Sequence, residues 1–282
     1  MNAPALVLVG AFGIYPLVFS FWLSLHQYNL KQPDRFQFVG LGNYLQLLRD
    51  PGFSNSLKVT VVVVLSTLVI TLFLGLLLAL LLNTAFRGRG LLRAAILVPW
   101  AIPPIVNAMM WKLAYNSQFG VLNGALNDIG ILHKYVAWLS HPALAVTALI
   151  SAHVWNTVPL AALPLLAGLQ AIPGELYEAA QVDGATTLRR FRHITLPYLA
   201  GPILVVLLLV TMVSFKVFDL VYTLTFGGPG ATTSVLAWQA YKISFSSLDI
   251  GYGSAWSNTL ALFIGVMSVA YIAFLYRAQP DA

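Results

Sequence analysis

Six long apolar segments constrain this chain more than any other feature of its sequence. They cover residues 3–25, 56–83, 91–115, 142–169, 200–225 and 255–276. A helix needs about 20 mostly apolar residues to cross the hydrocarbon core of a bilayer. The chain is 59% hydrophobic and only 9% charged, whereas a soluble domain is about 25% charged. The sequence therefore predicts an all-α integral membrane protein, with six transmembrane helices in a single domain over residues 1–282.

These segments are expected to be helices that stay in the mature protein. Inside lipid every backbone polar group needs an internal partner, which leaves helices and closed barrels, and no run of short alternating strands occurs. The first segment lacks a preceding basic region and a clear cleavage site, so we expect a retained helix rather than a signal peptide. Prolines in the third and fourth segments predict kinks or unwound turns at Pro99, Pro103, Pro104, Pro159 and Pro164.

The distribution of charge predicts an orientation. The net charge of +6 favours contact with anionic membrane lipids, and the basic residues are too scattered for a nucleic-acid groove. Six arginines lie in two short loops, residues 87–93 and 170–198. By total count the two sides are close to a tie, but the basic residues of the other side are spread over longer loops. By density, the positive-inside rule places the two arginine loops in the cytoplasm, and six spans place both termini there too.

The loop over residues 170–198 holds an unusual share of the charge in this apolar chain. Residues 173–182 predict a helix whose early acidic residues suit the helix dipole. Gly184 can adopt a left-handed conformation and end that helix. A second, basic helix is predicted over residues 186–194, and Pro197 opens the fifth span. On these grounds alone, an interfacial loop with solvated charges is favoured over a specific contact surface.

A motif within this 170–198 loop changes that balance. Glu178-Ala179-Ala180 is followed by Gly184 after three residues, and by Ile194-x-Leu196-Pro197 after nine more. This spacing resembles the EAA motif of ATP-binding-cassette importer permeases, in the carbohydrate branch of the maltose- and glycerol-3-phosphate-permease type. Three further stretches resemble the same branch, so the resemblance covers nearly the whole chain: Gly-Leu-Gly-Asn-Tyr at 40–44, Leu-Val-Pro-Trp-Ala-Ile-Pro at 97–103 and Phe-Gly-Gly-Pro at 226–229.

The resemblance implies a transport subunit that is not itself an enzyme. Such a permease pairs with a second permease, expected here to form a heterodimer, and with two cytoplasmic ATPase subunits that bind ATP and Mg²⁺. An extracytoplasmic binding protein delivers the carbohydrate. The expected location is the bacterial cytoplasmic (inner) membrane, and no cofactor is expected on this chain.

The resemblance also implies a mechanical role for the 170–198 loop. In this family, the segment around Glu178–Gly184 is the coupling helix, which sits in a cleft of the ATPase and moves the spans to give alternating access. The residues that match the motif are Glu178, Ala179, Ala180, Asp183, Gly184 and Pro197. Glu178 and Asp183 are either dipole partners within the loop or ligands of ATPase residues, and the sequence leaves both possibilities open.

Polar residues inside the spans are candidates for substrate binding, because they are costly in lipid. His153, Trp155, Asn156 and Thr157 in the fourth segment combine aromatic rings with hydrogen-bonding groups, as sugar recognition requires. An interfacial tryptophan with an outward-pointing histidine explains them equally well. The resemblance points to the same positions and adds Phe215 and Lys216. Lys216 replaces an amide of the maltose-type permease, which suggests an anionic sugar or a lysine that donates to hydroxyl groups.

Three further polar positions carry weaker predictions. Lys216 and Asp219 lie three residues apart, which would place them on one face of the fifth helix, able to pair. They serve the substrate, neutralise each other or contact the second permease. Asn107 in the third segment is a candidate as well, although a lone Asn often only joins two helices.

Other functional classes find less support in the sequence. No P-loop motif is present, so ATP binding is not expected, and the five histidines are too dispersed for a metal site. An ion-coupled secondary transporter would show repeated halves and acids at mid-depth, and Asp219 is the one such acid. A membrane enzyme would need clustered polar residues at one membrane face. A sugar phosphate or glycerol phosphate remains the alternative substrate.

Overall fold

The structure is a computed structural model that describes residues 3–278, with side chains described over residues 6–274. Residues 1–2 and 279–282, at the two ends of the chain, lie outside the described residues. The predicted cytoplasmic placement of both termini concerns these residues. The elements are, in order: α1 (Ala3–Val9), π1 (Gly10–Ile14), α2 (Tyr15–Ser24), β1 (His26–Gln27), β2 (Gln37–Phe38), α3 (Gly42–Arg49), α4 (Pro51–Asn83), α5 (Arg89–Ala101), α6 (Pro104–Ala114), α7 (Val121–Asp128), α8 (Pro142–Gln170), α9 (Gly174–Val182), α10 (Thr187–Arg190), π2 (Phe191–Thr195), α11 (Leu196–Tyr198), α12 (Ala200–Phe215), α13 (Asp219–Leu224), α14 (Leu236–Tyr241), π3 (Lys242–Ser246) and α15 (Ile250–Ala278).

The predicted all-α membrane architecture is confirmed. Four stretches are long and apolar enough to cross a bilayer: Leu6–Ser24, Pro51–Asn83, Pro142–Gln170 and Ile250–Phe274. Two bent helix pairs overlap the third and fifth predicted spans: Arg89–Ala101 with Pro104–Ala114, and Thr187–Tyr198 with Ala200–Phe215. The described residues therefore contain four spans, or up to six if each bent pair crosses once.

The third predicted span, residues 91–115, is broken as its prolines suggest. Helices α5 and α6 meet at 96°, and Ile102 and Pro103 between them have extended backbones, with ψ of 128° and 139°. A proline disfavours helical geometry in the residue before it, and Pro103 and Pro104 follow each other directly. Pro99, by contrast, lies within α5.

The fifth predicted span, residues 200–225, is not the single helix that its composition suggested. Helix α12 ends at Phe215, and α13 begins only at Asp219. Lys216 is the C-cap of α12, with φ −90° and ψ 9°. The prediction that Lys216 and Asp219 share one helix face is therefore wrong, because the helix that would align them is interrupted between them.

Helices α4 and α8 form the central packed pair. Gly75 of α4 lies so close to α8 that a Cβ atom there would stand 2.6 Å from the Cβ of Ala161. Gly168 of α8 approaches Pro202 of α12 in the same way, with 2.6 Å from a built Cβ to the proline Cγ. Small residues at helix crossings allow such close backbone approach in membranes, where packing replaces the hydrophobic effect between helices.

We expect Gly75→Leu to destabilise the protein by about 1–3 kcal/mol, because a larger side chain at this contact forces α4 and α8 apart. The measurement is the midpoint of thermal unfolding of the purified protein in one detergent. Gly265→Leu is the matched control, since Gly265 lies within the long helix α15 and a Cβ there meets no atom within 4 Å. Equal midpoints for the two variants would contradict this contact.

Candidate functional site

The 170–198 loop forms the two helices that its sequence predicts, but Pro197 lies within α11 and does not open the fifth span, because α12 begins at Ala200. Helix α9 begins after Pro173, and Gly184 has φ +72°. The amide of Gly184 donates to the carbonyl of Gln181 at 3.0 Å, and that of Ala185 donates to the carbonyl of Ala180 at 2.8 Å. This pair of bonds is a Schellman motif, which satisfies the last carbonyls of α9 and requires a left-handed residue. A Cβ at Gly184 would meet no atom within 4 Å, so the backbone conformation alone selects glycine.

The second half of the loop is a continuous helical segment formed by α10, π2 and α11. The side chain of Thr186 caps its start by accepting from the amide of Arg189 at 3.4 Å. The hydroxyls of Tyr177 and Thr195 lie 2.8 Å apart and join α9 to this segment. Tyr177 and Ile194 also pack against a buried cluster that includes Leu199. The loop is thus anchored to α8 and α12 rather than free on the surface.

The outer face of the loop is exposed. Among the predicted coupling residues, Glu178, Ala179, Asp183, Gly184 and Pro197 are exposed, and Ala180 is half-buried. Two apolar side chains beside the turn are also exposed, Val182 at 88% and Leu188 at 76%. The sequence analysis missed this pair, although two large apolar residues that flank Gly184 within a polar loop are a visible signal. Exposed apolar residues with a polar rim are typical of protein contact surfaces.

Two of the predicted substrate residues are used inside the helix packing. The imidazole Nε2 of His153 lies 3.0 Å from the hydroxyl of Ser214, which joins α8 to α12. The Thr157 hydroxyl lies 3.0 Å from that of Thr71, which joins α8 to α4. His153 is 4% exposed and Thr157 is 1% exposed. Both therefore tie helices together in this conformation.

Asn156 has a specific partner in the broken third span. Its amide Nδ2 donates to the carbonyl oxygen of Pro99 at 2.6 Å. In an unbroken helix that carbonyl would accept from the amide of residue 103, but Pro103 has no N–H group. Asn156 therefore satisfies the carbonyl that Pro103 leaves without a donor.

Trp155 lies apart from these residues and faces a cavity of about 800 Å³. The cavity lies between α4, α5, α6 and α8, and its lining is almost entirely apolar. Trp155 meets Trp111 edge to face, with ring centroids 5.9 Å apart. Ser151 and Thr147 are the polar members of the lining.

Lys216 lines a different cavity, of about 260 Å³. Its lining includes Phe218, Tyr241, Ser244 and Phe245. Phe215, next to Lys216, is 7% exposed, and Asp219 is half-buried at the start of α13. Asn107 is 1% exposed, and its Oδ1 has no hydrogen-bond partner among the described residues.

The predicted substrate residues thus do not surround one cavity. Trp155 lines the large cavity and Lys216 the small one, while His153, Thr157, Phe215 and Asn107 are buried. Their role in substrate binding remains a prediction. Within the residues that the structure describes, no group of His, Cys, Asp or Glu is arranged to hold a metal ion.

Comparison with known proteins gives a consistent result. A family described as binding-protein-dependent transport system inner membrane component matches residues 71–279. The chain is 43% identical over 275 residues to the trehalose/maltose transport system permease protein MalF of Thermococcus litoralis, which covers 96% of this chain and 91% of that protein. It is 37% identical over 275 residues to the sulfoquinovosyl glycerol transport system permease protein SmoG of Agrobacterium fabrum, covering 98% and 87%.

A solved structure shares the fold. It is the bacterial alginate ABC transporter in complex with an alginate pentasaccharide-bound periplasmic protein. One of its chains matches with a TM-score of 0.80, covering 99% of this chain and 92% of that one. At 22% sequence identity, this likeness establishes the fold.

We expect Asn156→Ala to lower stability by about 1–3 kcal/mol, because it leaves the Pro99 carbonyl without a donor inside the helix packing. Asn55→Ala is the matched control: Asn55 also donates its amide to a backbone carbonyl, that of Ala231 at 3.0 Å, but in an exposed position where water can replace it. Thermal unfolding in detergent compares the two. An Asn156→Ala protein as stable as the control would show that the bond contributes nothing.

Proposed function

Since the chain belongs to the family of binding-protein-dependent transport system inner membrane components, we propose that it is the permease subunit of an ATP-driven importer that moves a carbohydrate into the cytoplasm. The observation that carries the proposal is its near-full-length similarity to permeases of two sugar transport systems. The orientation follows: the 170–198 loop and both termini face the cytoplasm, and the Lys216 cavity lies toward the outer side.

The proposal includes partners that the chain cannot replace. ATP and Mg²⁺ bind to two ATPase subunits, because the sequence has no P-loop of its own. A second permease completes the pathway, and a heterodimer is expected. A periplasmic binding protein delivers the sugar, in keeping with the family's description and with the complex seen for the alginate transporter.

The proposed coupling is mechanical. The exposed tip around Gly184, with Val182 and Leu188 beside it, docks on an ATPase. The Tyr177–Thr195 bond and the buried cluster that includes Leu199 pass its movement to α8 and α12. The His153–Ser214 bond holds those two helices together at greater depth. A displacement at the tip therefore moves α8 and α12 as one body, which is the kind of two-state movement that alternating access needs.

The substrate is proposed to be a di- or oligosaccharide or a related carbohydrate. Exposed Lys216 can donate to sugar hydroxyls or pair with an anionic group. A sugar phosphate or glycerol phosphate is the second candidate, and the basic charge of Lys216 is the observation that favours it.

Uptake by the reconstituted transporter tests this proposal. Proteoliposomes that contain the chain with its second permease, ATPase and binding protein are loaded with ATP and given radiolabelled trehalose, maltose, sulfoquinovosyl glycerol or glycerol 3-phosphate. We expect ATP-dependent accumulation of at least one of the first three, and preferred uptake of glycerol 3-phosphate would favour the second candidate. Transport by this chain in the absence of any ATPase would contradict the importer. A failure to transport any of the four radiolabelled compounds would contradict it as well.

We expect Gly184→Val to uncouple transport. A β-branched side chain with positive φ costs about 1–2 kcal/mol, so the turn distorts and the tip of α9 is displaced. Sugar uptake and sugar-stimulated ATP hydrolysis should each fall about tenfold, while membrane insertion is unchanged. Gly174→Val in the same loop is the matched control, because Gly174 needs no positive φ and a Cβ there meets no atom within 4 Å. Unchanged uptake by Gly184→Val would refute the docking role of the tip.

A further inference from the structure

The large cavity that Trp155 lines has the chemistry of a hydrocarbon site rather than that of a sugar site. Its lining is almost entirely apolar, and the two hydroxyl groups of the lining already bond within the protein. The Ser151 hydroxyl lies 2.7 Å from the hydroxyl of Tyr115. The Thr147 hydroxyl donates to the carbonyl of Ala143 at 3.0 Å. A sugar would therefore find few partners there for its own hydroxyl groups.

The cavity is open along one face of α4. Ile70, Leu74 and Leu77 line it and are between 37% and 48% exposed. It follows α4 from Leu78 to Ile70, which is about 12 Å at 1.5 Å per residue, and it continues along α8 as far as Thr147. One leaflet of the hydrocarbon core is about 15 Å deep, half of about 30 Å. The cavity therefore has the length and the polarity that suit a lipid acyl chain.

Arginines lie at the end of this cavity where α4 stops and α5 begins. Arg93 precedes the lining residue Ile96 by one helical turn, and its Nη2 donates to the carbonyl of Leu82 at 3.4 Å. Leu82 in turn follows the lining residue Leu78 by one turn of α4. Arg89 lies one turn before Arg93 in α5, so the two arginines are neighbours on one helix face. Both basic side chains thus lie within two helical turns of the apolar lining.

The guanidinium of Arg93 is incompletely paired. Its Nε is buried and has no hydrogen-bond partner among the residues that the structure describes, although an arginine side chain has five donors. Gly88 is the N-cap of α5, and a glycine has no side chain to cap the first amides of that helix. A helix start and a guanidinium group favour the same kind of ligand, which is a phosphate.

We propose that this end of the cavity binds an anionic phospholipid of the cytoplasmic leaflet. The phosphate lies beside Arg89 and Arg93 at the start of α5, and one acyl chain lies in the cavity against Leu74 and Trp155. The cytoplasmic leaflet carries the anionic lipids, and the orientation proposed above places residues 87–93 on that side. The site takes no part in sugar recognition, so it goes beyond the proposed function and rests only on that orientation.

A lipid in this position also supports the bend of the third span. Helices α5 and α6 meet at 96°, and the cavity lies between them and the α4–α8 pair. Side chains around an empty apolar cavity lack the dispersion contacts that an acyl chain supplies. The bound chain therefore stabilises the bent conformation.

Photolabelling tests the site in the assembled transporter, held in nanodiscs of phosphatidylcholine with a small fraction of phosphatidylglycerol. The phosphatidylglycerol carries a photoreactive diazirine at the end of one acyl chain. Phosphatidylcholine with the same modified chain is the comparison lipid. After irradiation, mass spectrometry of the peptides measures the label on the cavity lining, within residues 70–78 and 147–159. Peptides from α15, whose Val269 is 67% exposed, report ordinary contact with the bilayer.

Matched variants separate the headgroup contact from the acyl-chain contact. Arg93→Gln removes the charge and Arg93→Lys keeps it, while Arg192→Gln removes an exposed arginine in the 170–198 loop. Ala95→Phe narrows the cavity beside the arginines, and Ala94→Phe is its control, because Ala94 is equally exposed but lies outside the lining. Ala95→Phe leaves both arginines in place, so it decides the question if Arg93→Gln fails to assemble.

We expect the lining to be labelled about fivefold more by phosphatidylglycerol than by phosphatidylcholine, which is the effect of about one basic residue on an anionic lipid. Arg93→Gln and Ala95→Phe should each remove most of this difference. Arg93→Lys should retain it, and Arg192→Gln and Ala94→Phe should leave it unchanged. Labelling of α15 should be the same in every sample.

Three outcomes would overturn the site. Equal labelling of the lining by both lipids would show that the arginines do not select an anionic lipid. An unlabelled lining in a complex whose α15 is labelled would show that the second permease covers the cavity. An equal loss of label in Arg192→Gln and Arg93→Gln would show a general effect of surface charge. Because labelling requires no transport, a failure of sugar uptake leaves the site standing, and a failure of labelling leaves the importer standing.

Discussion

The structure depends on one constraint: in a bilayer, every backbone polar group must find a partner within the protein. Long helices meet most of it by themselves: α4 does so over 33 residues, whereas Pro159 and Pro164 each remove one donor from the 29-residue helix α8. Where a helix breaks, something else must supply the partner or admit water. At the third span Asn156 donates to the orphaned carbonyl of Pro99. At the fifth span the break exposes Lys216 to a cavity. Both breaks therefore lie beside cavities, and both shape the surface that a substrate could meet.

The same helices connect the exposed 170–198 loop to these cavities. Within the loop, the Tyr177–Thr195 bond joins α9 to π2. Farther along the chain, the bond between His153 and Ser214 joins α8 to α12. The Thr71–Thr157 bond adds α4 to this group. In the bilayer, buried hydroxyl and imidazole groups that pair across helices resist separation, because a broken pair would leave polar atoms in an apolar medium. This is the physical basis for treating the loop and the two helices as one moving body.

Local patterns in the sequence predicted much of this structure. The apolar segments predicted the membrane fold, and the left-handed turn at Gly184 is confirmed because a glycine after a short helix needs no distant partner. The EAA motif assigned a family that the comparison confirms. The break after Phe215 was missed, because the sequence Phe215-Lys216-Val217-Phe218 contains neither proline nor glycine. The hydrogen-bond partners of His153 and Asn156 could not be predicted from the sequence either, since they lie 61 and 57 residues away along the chain. The contact between the Tyr222 and Trp238 rings likewise depends on α13 and α14 meeting in space.

The central claim is that the loop and the fifth span move together when ATP acts on the partner subunits. The chain contains no cysteine, so spin labels at Arg192→Cys and Val213→Cys report one distance without background. Both positions are exposed, one in the loop and one near the C-terminal end of α12. The decisive measurement is this distance in the assembled transporter, with and without ATP and vanadate. A rigid connection keeps it constant within about 2 Å, whereas a change of about 5 Å or more would show that the loop hinges independently of the helix.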